Sequence, residues 1–251
     1  QAALNGASAA AMKSADNFYQ GDASKWRKFA NSLMLRVAMR MSKVDPAAAE
    51  QWVKTAVANG VFESDADNCM LMHAGGLTTN DFSEPYAKIY SHEDRGNFFL
   101  TEYFVDLLKS TNDPRLSLIG TVCEEPTISV QAGSDFQYGN SDPAVQKGLP
   151  SGFSDSPDSP WFVGNKYPEF KDEDYRSTYR SRYSTINRYT YSDSTGPTFV
   201  CTYAQTQLLL AEAAVRGWVD GSAQTYYENG VRAACGSSHS SPTARRCIIS
   251  I

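Results

Sequence analysis

Long apolar runs are missing from this chain of 251 residues: no stretch of about 18 consecutive apolar residues occurs, which excludes a membrane-spanning helix within the sequence given. A basic surplus is missing as well, because 23 lysines and arginines stand against 28 aspartates and glutamates, for a net charge of -5. Binding to nucleic acid or to an anionic membrane surface therefore has no electrostatic support.

Cysteines are few and scattered along the sequence. Cys69, Cys123 and Cys201 each stand alone, without the CxxC spacing of zinc sites and without the density of a disulfide framework. We therefore expect small buried thiols at these three positions.

Motifs for catalysis or metal binding are absent or incomplete. His92-Glu93 begins like a zinc-protease helix, but Gly96 stands where the second histidine is needed. A calcium loop beginning at Asp65 is excluded because Met70 replaces the glycine of its sharp turn. No GxSxG elbow, phosphate loop or dinucleotide fingerprint occurs either. The sequence thus predicts no catalytic residue, no metal site and no cofactor, and a protein that is not an enzyme.

The segment from residue 21 to residue 46 carries the clearest structural pattern. Apolar side chains recur at the spacing i, i+3, i+4, i+7, i+11 and i+15, at Trp26, Phe29, Ala30, Leu33, Val37 and Met41. This spacing predicts a helix whose apolar stripe faces the core. Leu35 and Ala38 widen the apolar arc, so we expect the helix to pack against neighbours on two sides.

Capping residues divide this region into a helical hairpin. Asp22 or Ser24 can cap the first helix, and Asp45 followed by Pro46 can start a second one. Gly60 can end the second helix in a left-handed conformation.

A second helical pair is predicted near the end of the chain, at residues 203–216 and 223–234, with a turn at Gly217 and Trp218. A pair of about 34 residues has the size of one tetratricopeptide unit. Glu212 lies on the first of these helices, and we expect it to be a buried, paired structural carboxylate, since an unpaired one would be costly. The predicted fold class is mainly α, with tetratricopeptide-like helical pairs.

Between about residues 117 and 198 the helical periodicity gives way to glycine, proline, serine and aspartate, which predicts a long irregular loop insertion. Aromatic faces mixed with amide and guanidinium groups are typical of sugar binding, because rings stack on C–H faces while polar groups read hydroxyls. Trp161, Asn165 and Tyr167 are the candidate ligand-binding residues of this stretch.

The first helix resembles a segment of the SusD/RagB family of outer-membrane nutrient-binding lipoproteins of Bacteroidetes, of the form GD..KW.KFANSL.LR.A.R. The matching residues are Gly21, Asp22, Lys25, Trp26, Lys28, Phe29, Ala30, Asn31, Ser32, Leu33, Leu35, Arg36, Ala38 and Arg40. Further matches follow in the family's order, at residues 65–68, 112–116 and 210–218. We expect these motifs to maintain the fold or to contact a partner protein, and not to contact ligand.

The resemblance implies a protein at the cell surface that binds a glycan or related nutrient and delivers it to a SusC-like TonB-dependent transporter of the outer membrane. It implies a lipid anchor as the only membrane association, on a part of the protein missing from this chain. It also implies that the segment with Tyr86, Tyr90 and Arg95 runs near the ligand face. Two alternatives are a helical protein-interaction scaffold without a small ligand and an α-helical glycoside hydrolase.

The chain is expected to hold one helical domain at residues 1–234, incomplete at both ends. Residues 235–251 break the helical pattern, and a shifted reading frame would restore it. We therefore predict a frameshifted or non-native tail, in which Cys235, His239 and Cys247 carry no functional information.

Overall fold

Helices dominate the part of the chain that the computed structural model describes, which is residues 13, 15–75, 83–89, 98–123, 139–173, 182–187, 190 and 193–237. The helices are α1 (Ala23–Arg40), α2 (Pro46–Ala58), α3 (Pro85–Lys88), α4 (Glu102–Ser110), α5 (Leu116–Ile119), α6 (Tyr203–Val215) and α7 (Ala223–Ser237). The strands are β1 (Cys69–Leu71), β2 (Gly120–Cys123), β3 (Gly139–Asn140), β4 (Ser184–Ile186) and β5 (Thr198–Cys201). The predicted mainly helical fold class is confirmed.

The chain divides into two units. The described residues of 1–73 and 197–240 form the first, which contains α1, α2, β1, β5, α6 and α7. The described residues of 74–196 form the second, which contains α3, α4, α5 and strands β2 to β4. The second unit is thus inserted into the sequence of the first, between β1 and β5.

The predicted hairpin of α1 and α2 forms with the expected caps. The carboxylate of Asp22 accepts hydrogen bonds from the amides at the start of α1, and Asp45 accepts one from Ala48 at 3.0 Å ahead of α2. Pro46 occupies the first position of α2 and Gly60 follows its end with a φ of 89°. Local capping chemistry therefore sets where each helix begins and ends.

The buried face of α1 differs from the predicted stripe. Val37 was expected in the core but is 54% exposed, and the other stripe residues are only partly buried. The deepest face instead carries Asn31, Ser32, Leu35, Ala38 and Met39. Hydropathy alone misplaced this face because two of its members are polar. The prediction that α1 packs on two sides holds, since Leu35 joins a cluster with α2 and α6 while Trp26 joins another one.

The second helical pair, α6 and α7, also forms as predicted, with Gly217 at a φ of 73° after α6. A side chain at Gly230 of α7 would come within 2.8 Å of the Leu208 side chain of α6, so glycine permits the close approach of these helices. Glu212 was expected to be buried, but it lies exposed and pairs with Arg216 at 2.7 Å. Glu212 points away from the buried helix face that carries Ala211 and Ala213. On the exposed face, its ion pair with Arg216 needs no desolvation.

Short strands and turns organise the second unit. β2 lies between β3 and β4 in a three-stranded antiparallel sheet. Beside the sheet, the buried amide of Gln146 donates to the carbonyls of Gly120 and Asn140, at 3.1 and 3.0 Å. The stretch predicted as an irregular insertion therefore contains paired strands. The sequence pattern did not predict them, because strands of two to four residues are too short to show an alternation of apolar and polar residues.

Candidate functional site

The residues of the α1 motif make contacts inside the first unit that hold its backbone in place. The indole nitrogen of Trp26 donates to the Asp16 carboxylate at 2.7 Å. The ammonium of Lys28 pairs with Glu63 at 2.7 Å and with Asp67 at 3.1 Å. These contacts hold in place the segment before α1 and the turn after α2.

Two polar residues on the buried face of α1 are hydrogen-bonded to backbone groups outside the helix. The side-chain amide of Asn31 donates to the carbonyls of Asn59 and Gly60, at 2.9 and 2.8 Å. The hydroxyl of Ser32 accepts the amide of Phe62 at 2.9 Å. Both side chains therefore satisfy backbone groups just after α2, where the helical hydrogen bonds have ended. Their contacts are structural, as expected for the motif.

A closed loop of the second unit carries three of the candidate ligand-binding residues. The amide of Ser154 donates to the carbonyl of Trp161, and the amide of Val163 donates to the carbonyl of Ser154, both at 2.8 Å. A 3-10 turn at Val163–Asn165 follows, and the amide of Tyr167 donates back to the carbonyl of Val163 at 2.9 Å. We call residues 153–167 the aromatic loop.

Neighbouring side chains of the aromatic loop point in opposite directions. Phe162 is buried in a cluster with Val163, Phe170 and Tyr183, whereas Trp161 is 70% exposed. The backbone of Trp161 is fixed by the hydrogen bond to Ser154, so the loop presents a large indole to solvent from a rigid base. An exposed ring on a fixed backbone loses little conformational freedom on stacking with a ligand.

Tyr167 supports the aromatic loop from the inside. Its hydroxyl donates to the Glu102 carboxylate of α4 at 2.7 Å, and its ring meets Phe153 edge-on with centroids 5.8 Å apart. The ammonium of Lys166 lies over both rings, 5.6 Å from the centroid of Phe153 and 5.1 Å from that of Tyr167. Since its hydroxyl is already used and the ring is partly buried, Tyr167 holds the loop to α4.

The structure brings Trp161, Asn165 and Tyr167 together on one loop, with the side chain of Asn165 exposed. Tyr86 lies on a different element, α3, and is 62% exposed. α3 is held by Glu84, whose carboxylate accepts the amide of Ala87 at 2.6 Å. Two further candidates, at positions 90 and 95, lie outside the described residues.

Sequence reasoning did not single out Lys166 and Glu102, because neither residue belongs to a motif. The only available signal was the position of Lys166 between Asn165 and Tyr167. Its place over two rings depends on a turn that brings Phe153 close, which periodicity does not report.

Within the described residues, no helix is both long enough and apolar enough to cross a membrane. The same residues include no group of three or more histidine, cysteine, aspartate or glutamate side chains arranged to hold a metal ion. What the aromatic loop offers is an exposed indole, an exposed amide and an ammonium on one segment, a combination suited to stacking and hydrogen bonding with a neutral polar ligand.

A family model described as starch-binding and associating with the outer membrane matches residues 2–242. The chain belongs to this SusD-like family. The resemblance read from the α1 motif is thereby confirmed, and the match extends over most of both units.

Solved structures place the same fold in longer proteins. This SusD-like chain is similar to a chitin-binding protein, with 30% identity and a TM-score of 0.62 over 89% of this chain and 42% of the other. A SusD-like protein of Bacteroidetes matches with 25% identity and a TM-score of 0.71, over 90% and 49%. A SusD homologue of Bacteroides vulgatus matches with 27% identity and a TM-score of 0.65, over 94% and 41%. The chain therefore spans less than half the length of these relatives. Among curated proteins, none matches it.

Proposed function

We propose that this chain is part of a cell-surface glycan-binding protein, which captures an oligosaccharide and delivers it to a SusC-like TonB-dependent transporter of the outer membrane. The observation that carries the proposal is the exposed indole of Trp161 on a hydrogen-bonded loop, in a chain whose family is described as starch-binding. A lipid anchor on another part of the protein would hold it at the membrane. The protein binds its ligand and does not cleave it.

The chemistry of the aromatic loop supports a sugar ligand. The indole of Trp161 offers a flat face for the C–H side of a pyranose ring, while Asn165 offers a donor and an acceptor for hydroxyls. Tyr86, Tyr90 and Arg95 complete the proposed set of ligand-binding residues. Tyr167 contributes by holding the loop to α4 through Glu102.

The test compares two exposed tryptophans at different positions in the chain. Trp161→Ala should lower the affinity for the preferred glycan by about 10-fold, the equivalent of one lost stacking contact. Trp52→Ala on α2, where the native side chain is 49% exposed, is the matched control and should leave affinity unchanged. Calorimetry against soluble starch, chitin oligosaccharides and a panel of neutral polysaccharides measures both variants. Equal affinities for the two variants on every glycan bound would overturn the assignment of Trp161.

Incubation of the unaltered chain with the same polysaccharides separates glycan capture from the two alternative functions. A polysaccharide that is retained without new reducing ends supports capture. Release of new reducing ends identifies a glycoside hydrolase. Absence of both retention and cleavage across the panel favours a protein-interaction scaffold.

Delivery to a transporter requires a docking surface on the helices. The first unit exposes large apolar side chains on and beside its helices, at Val44, Trp52, Val215 and Tyr227. Contiguous exposed apolar patches mark protein contact sites, and we propose that side chains of this set form one. We expect the double variant Val215→Asp/Tyr227→Asp to lose co-purification with the SusC-like transporter while it keeps its glycan affinity. Retained co-purification would place the docking surface elsewhere.

A further inference from the structure

Two cysteines lie directly opposite each other on the paired strands of the first unit. Cys69 of β1 and Cys201 of β5 are Cα partners in the antiparallel register. Antiparallel partners have their Cα atoms about 4.5–5.5 Å apart. A disulfide requires a Cα separation of about 4.4–6.8 Å. The strand register therefore places this pair within reach of a covalent bond.

Hydrogen bonds of residues next to the pair hold the two strands in place. The amide of Tyr203, two residues after Cys201, donates to the side chain of Asn68 at 2.6 Å. One residue before Cys201, the carbonyl of Val200 accepts the Arg36 guanidinium at 3.2 Å. The first bond joins the neighbours of the two cysteines directly, and the second holds β5 against α1, so contacts outside the thiols support the pairing.

Both thiols are buried in the same apolar cluster. Cys69 is 1% and Cys201 is 3% exposed, in a cluster that also contains Tyr19 and Phe62. In this structure both are free thiols, and that of Cys201 lies 3.8 Å from the amide oxygen of Gln205.

We propose that Cys69 and Cys201 form a structural disulfide when the chain folds outside the cytoplasm. The compartment follows from the outer-membrane association of the family, since disulfides persist in extracytoplasmic spaces. The oxidant is a disulfide of another thiol compound or protein. The thiolate of one cysteine attacks a sulfur of this disulfide, whose S–S bond breaks and releases a first thiolate, and a mixed disulfide forms. The thiolate of the second cysteine then attacks the cysteine sulfur of the mixed disulfide and releases the other half of the oxidant as a second thiolate. The two cysteines lose two protons and two electrons, and the oxidant is reduced to two thiols.

Burial determines when the bond forms. Burial raises the pKa of the Cys69 thiol and likewise that of Cys201, so little thiolate exists once the unit has folded. We therefore expect the cysteines to react with an external oxidant while the chain is still folding, before the pairing of β1 and β5 buries them. After closure the same burial protects the bond from reductants.

The bond would join the two segments of the first unit close to the points where the second unit is inserted. The first unit ends its first segment at His73 and resumes at Pro197, so the cross-link lies just inside both junctions. The described residues of the second unit all lie in the loop that it closes. The two halves of the first unit would then stay joined whatever happens to the inserted residues.

The test uses the full chain, unfolded and reduced, then refolded with a mixture of oxidised and reduced glutathione. Peptide mapping without reductant should find the peptides of Cys69 and Cys201 joined, with a mass about 2 Da below the sum of the free forms. Reduction should lower the melting temperature by about 5–15 °C. Cys69→Ser and Cys201→Ser should each abolish this redox dependence, whereas Cys123→Ser, the matched control, should keep it.

Five free thiols after refolding, or a cross-link of either residue to Cys123, would overturn the proposal. If a serine variant fails to fold, peptide mapping of the unaltered chain, alkylated in denaturant directly after refolding, still decides the question. Because the refolding assay contains no glycan, its outcome is independent of the proposed ligand binding.

Discussion

The guanidinium of Arg36 in α1 donates a hydrogen bond to the backbone carbonyl of Val200 in β5, at 3.2 Å. The register of β1 and β5 shifts between Cys69 and Met70, which leaves Val200 without a Cα partner. A bulged residue has backbone groups that the strand ladder does not pair. Arg36 satisfies one of them and also reaches the amide oxygen of Gln205 at 3.3 Å. The arginine of the family motif therefore supports a strand irregularity 164 residues away in sequence.

Replacing Arg36 should weaken the first unit. Arg36→Met keeps the apolar stem but loses the hydrogen bonds to Val200 and Gln205, so the free energy of unfolding should fall by about 1–2 kcal/mol. Arg27→Met is the control, because Arg27 is exposed and, among the residues that the structure describes, donates only to the Ala23 carbonyl of its own helix, at 3.4 Å. Urea denaturation with an unchanged slope measures both variants. Equal losses for the two would contradict the role given to Arg36.

Asp16 predicts a pH dependence of stability. Burial alone would raise the pKa of Asp16, but the amide of Gly21, the indole of Trp26 and neighbouring amides donate hydrogen bonds that lower this pKa to about 2. A carboxylate with a lowered folded-state pKa stabilises the protein above its unfolded pKa of about 3.9. This contribution should disappear as the pH falls from about 4 to about 2.

The matching variant is Asp16→Asn, which cannot carry the charge. At pH 6 it should unfold with about 1–2 kcal/mol less free energy than the unaltered chain. At pH 2 the difference should approach zero, because Asp16 is then about half protonated or more. Denaturant titrations at several pH values measure this difference, and subtraction removes the titration of all other carboxylates. A difference that stays constant between pH 6 and pH 2 would show that the charge of Asp16 plays no part.

Gly148 should not accept a side chain. A Cβ atom at this position would lie 2.3 Å from the carbonyl oxygen of Thr101 and 2.4 Å from the backbone nitrogen of Glu102. Backbone atoms cannot rotate away, so Gly148→Ala must separate this segment from the start of α4. We expect a loss of about 2–4 kcal/mol. Gly152→Ala offers the contrast, because its Cβ would meet no atom within 4 Å, although its φ of 83° still strains alanine. A smaller loss at Gly148 than at Gly152, measured by thermal unfolding, would refute the close approach.

The hydrogen bond between Tyr167 and Glu102 should affect ligand binding indirectly. Tyr167→Phe keeps the ring against Phe153 but releases the aromatic loop from α4. We expect the glycan affinity to fall by about 2- to 10-fold, because a looser Trp161 must be ordered on binding. Tyr103→Phe on the same helix is the control and should bind like the unaltered chain. If calorimetry finds no difference between the two variants, the hydrogen bond does not position the loop.

Local sequence rules predicted the helices well but the core face poorly. Asp22, Asp45 and Gly60 mark helix ends in the sequence because capping depends on residues only a few positions away. The buried face of α1 was misjudged because Asn31 and Ser32 are polar. Their burial depends on backbone groups beyond α2 that need partners, which no hydropathy pattern contains.

The candidate site divides along the same lines. Composition pointed to the stretch with Trp161, Asn165 and Tyr167, and the structure places all three on one loop. Composition could not show that Phe162 is buried while Trp161 is exposed. Nor could it show that the Glu102 carboxylate accepts a hydrogen bond from the hydroxyl of Tyr167. Which ring stays free for a ligand is decided by such contacts between distant segments.

The sequence by itself determined the helical pairs, their ends and the family, because propensities, caps and motif spacing act over a few residues. The tertiary structure alone decided that Cys69 meets Cys201, that Arg36 serves the bulge at Val200 and that polar residues line the inner face of α1. These pairings join segments far apart in the chain. Their free energy comes from the satisfaction of particular buried groups, which is defined only once the chain has folded.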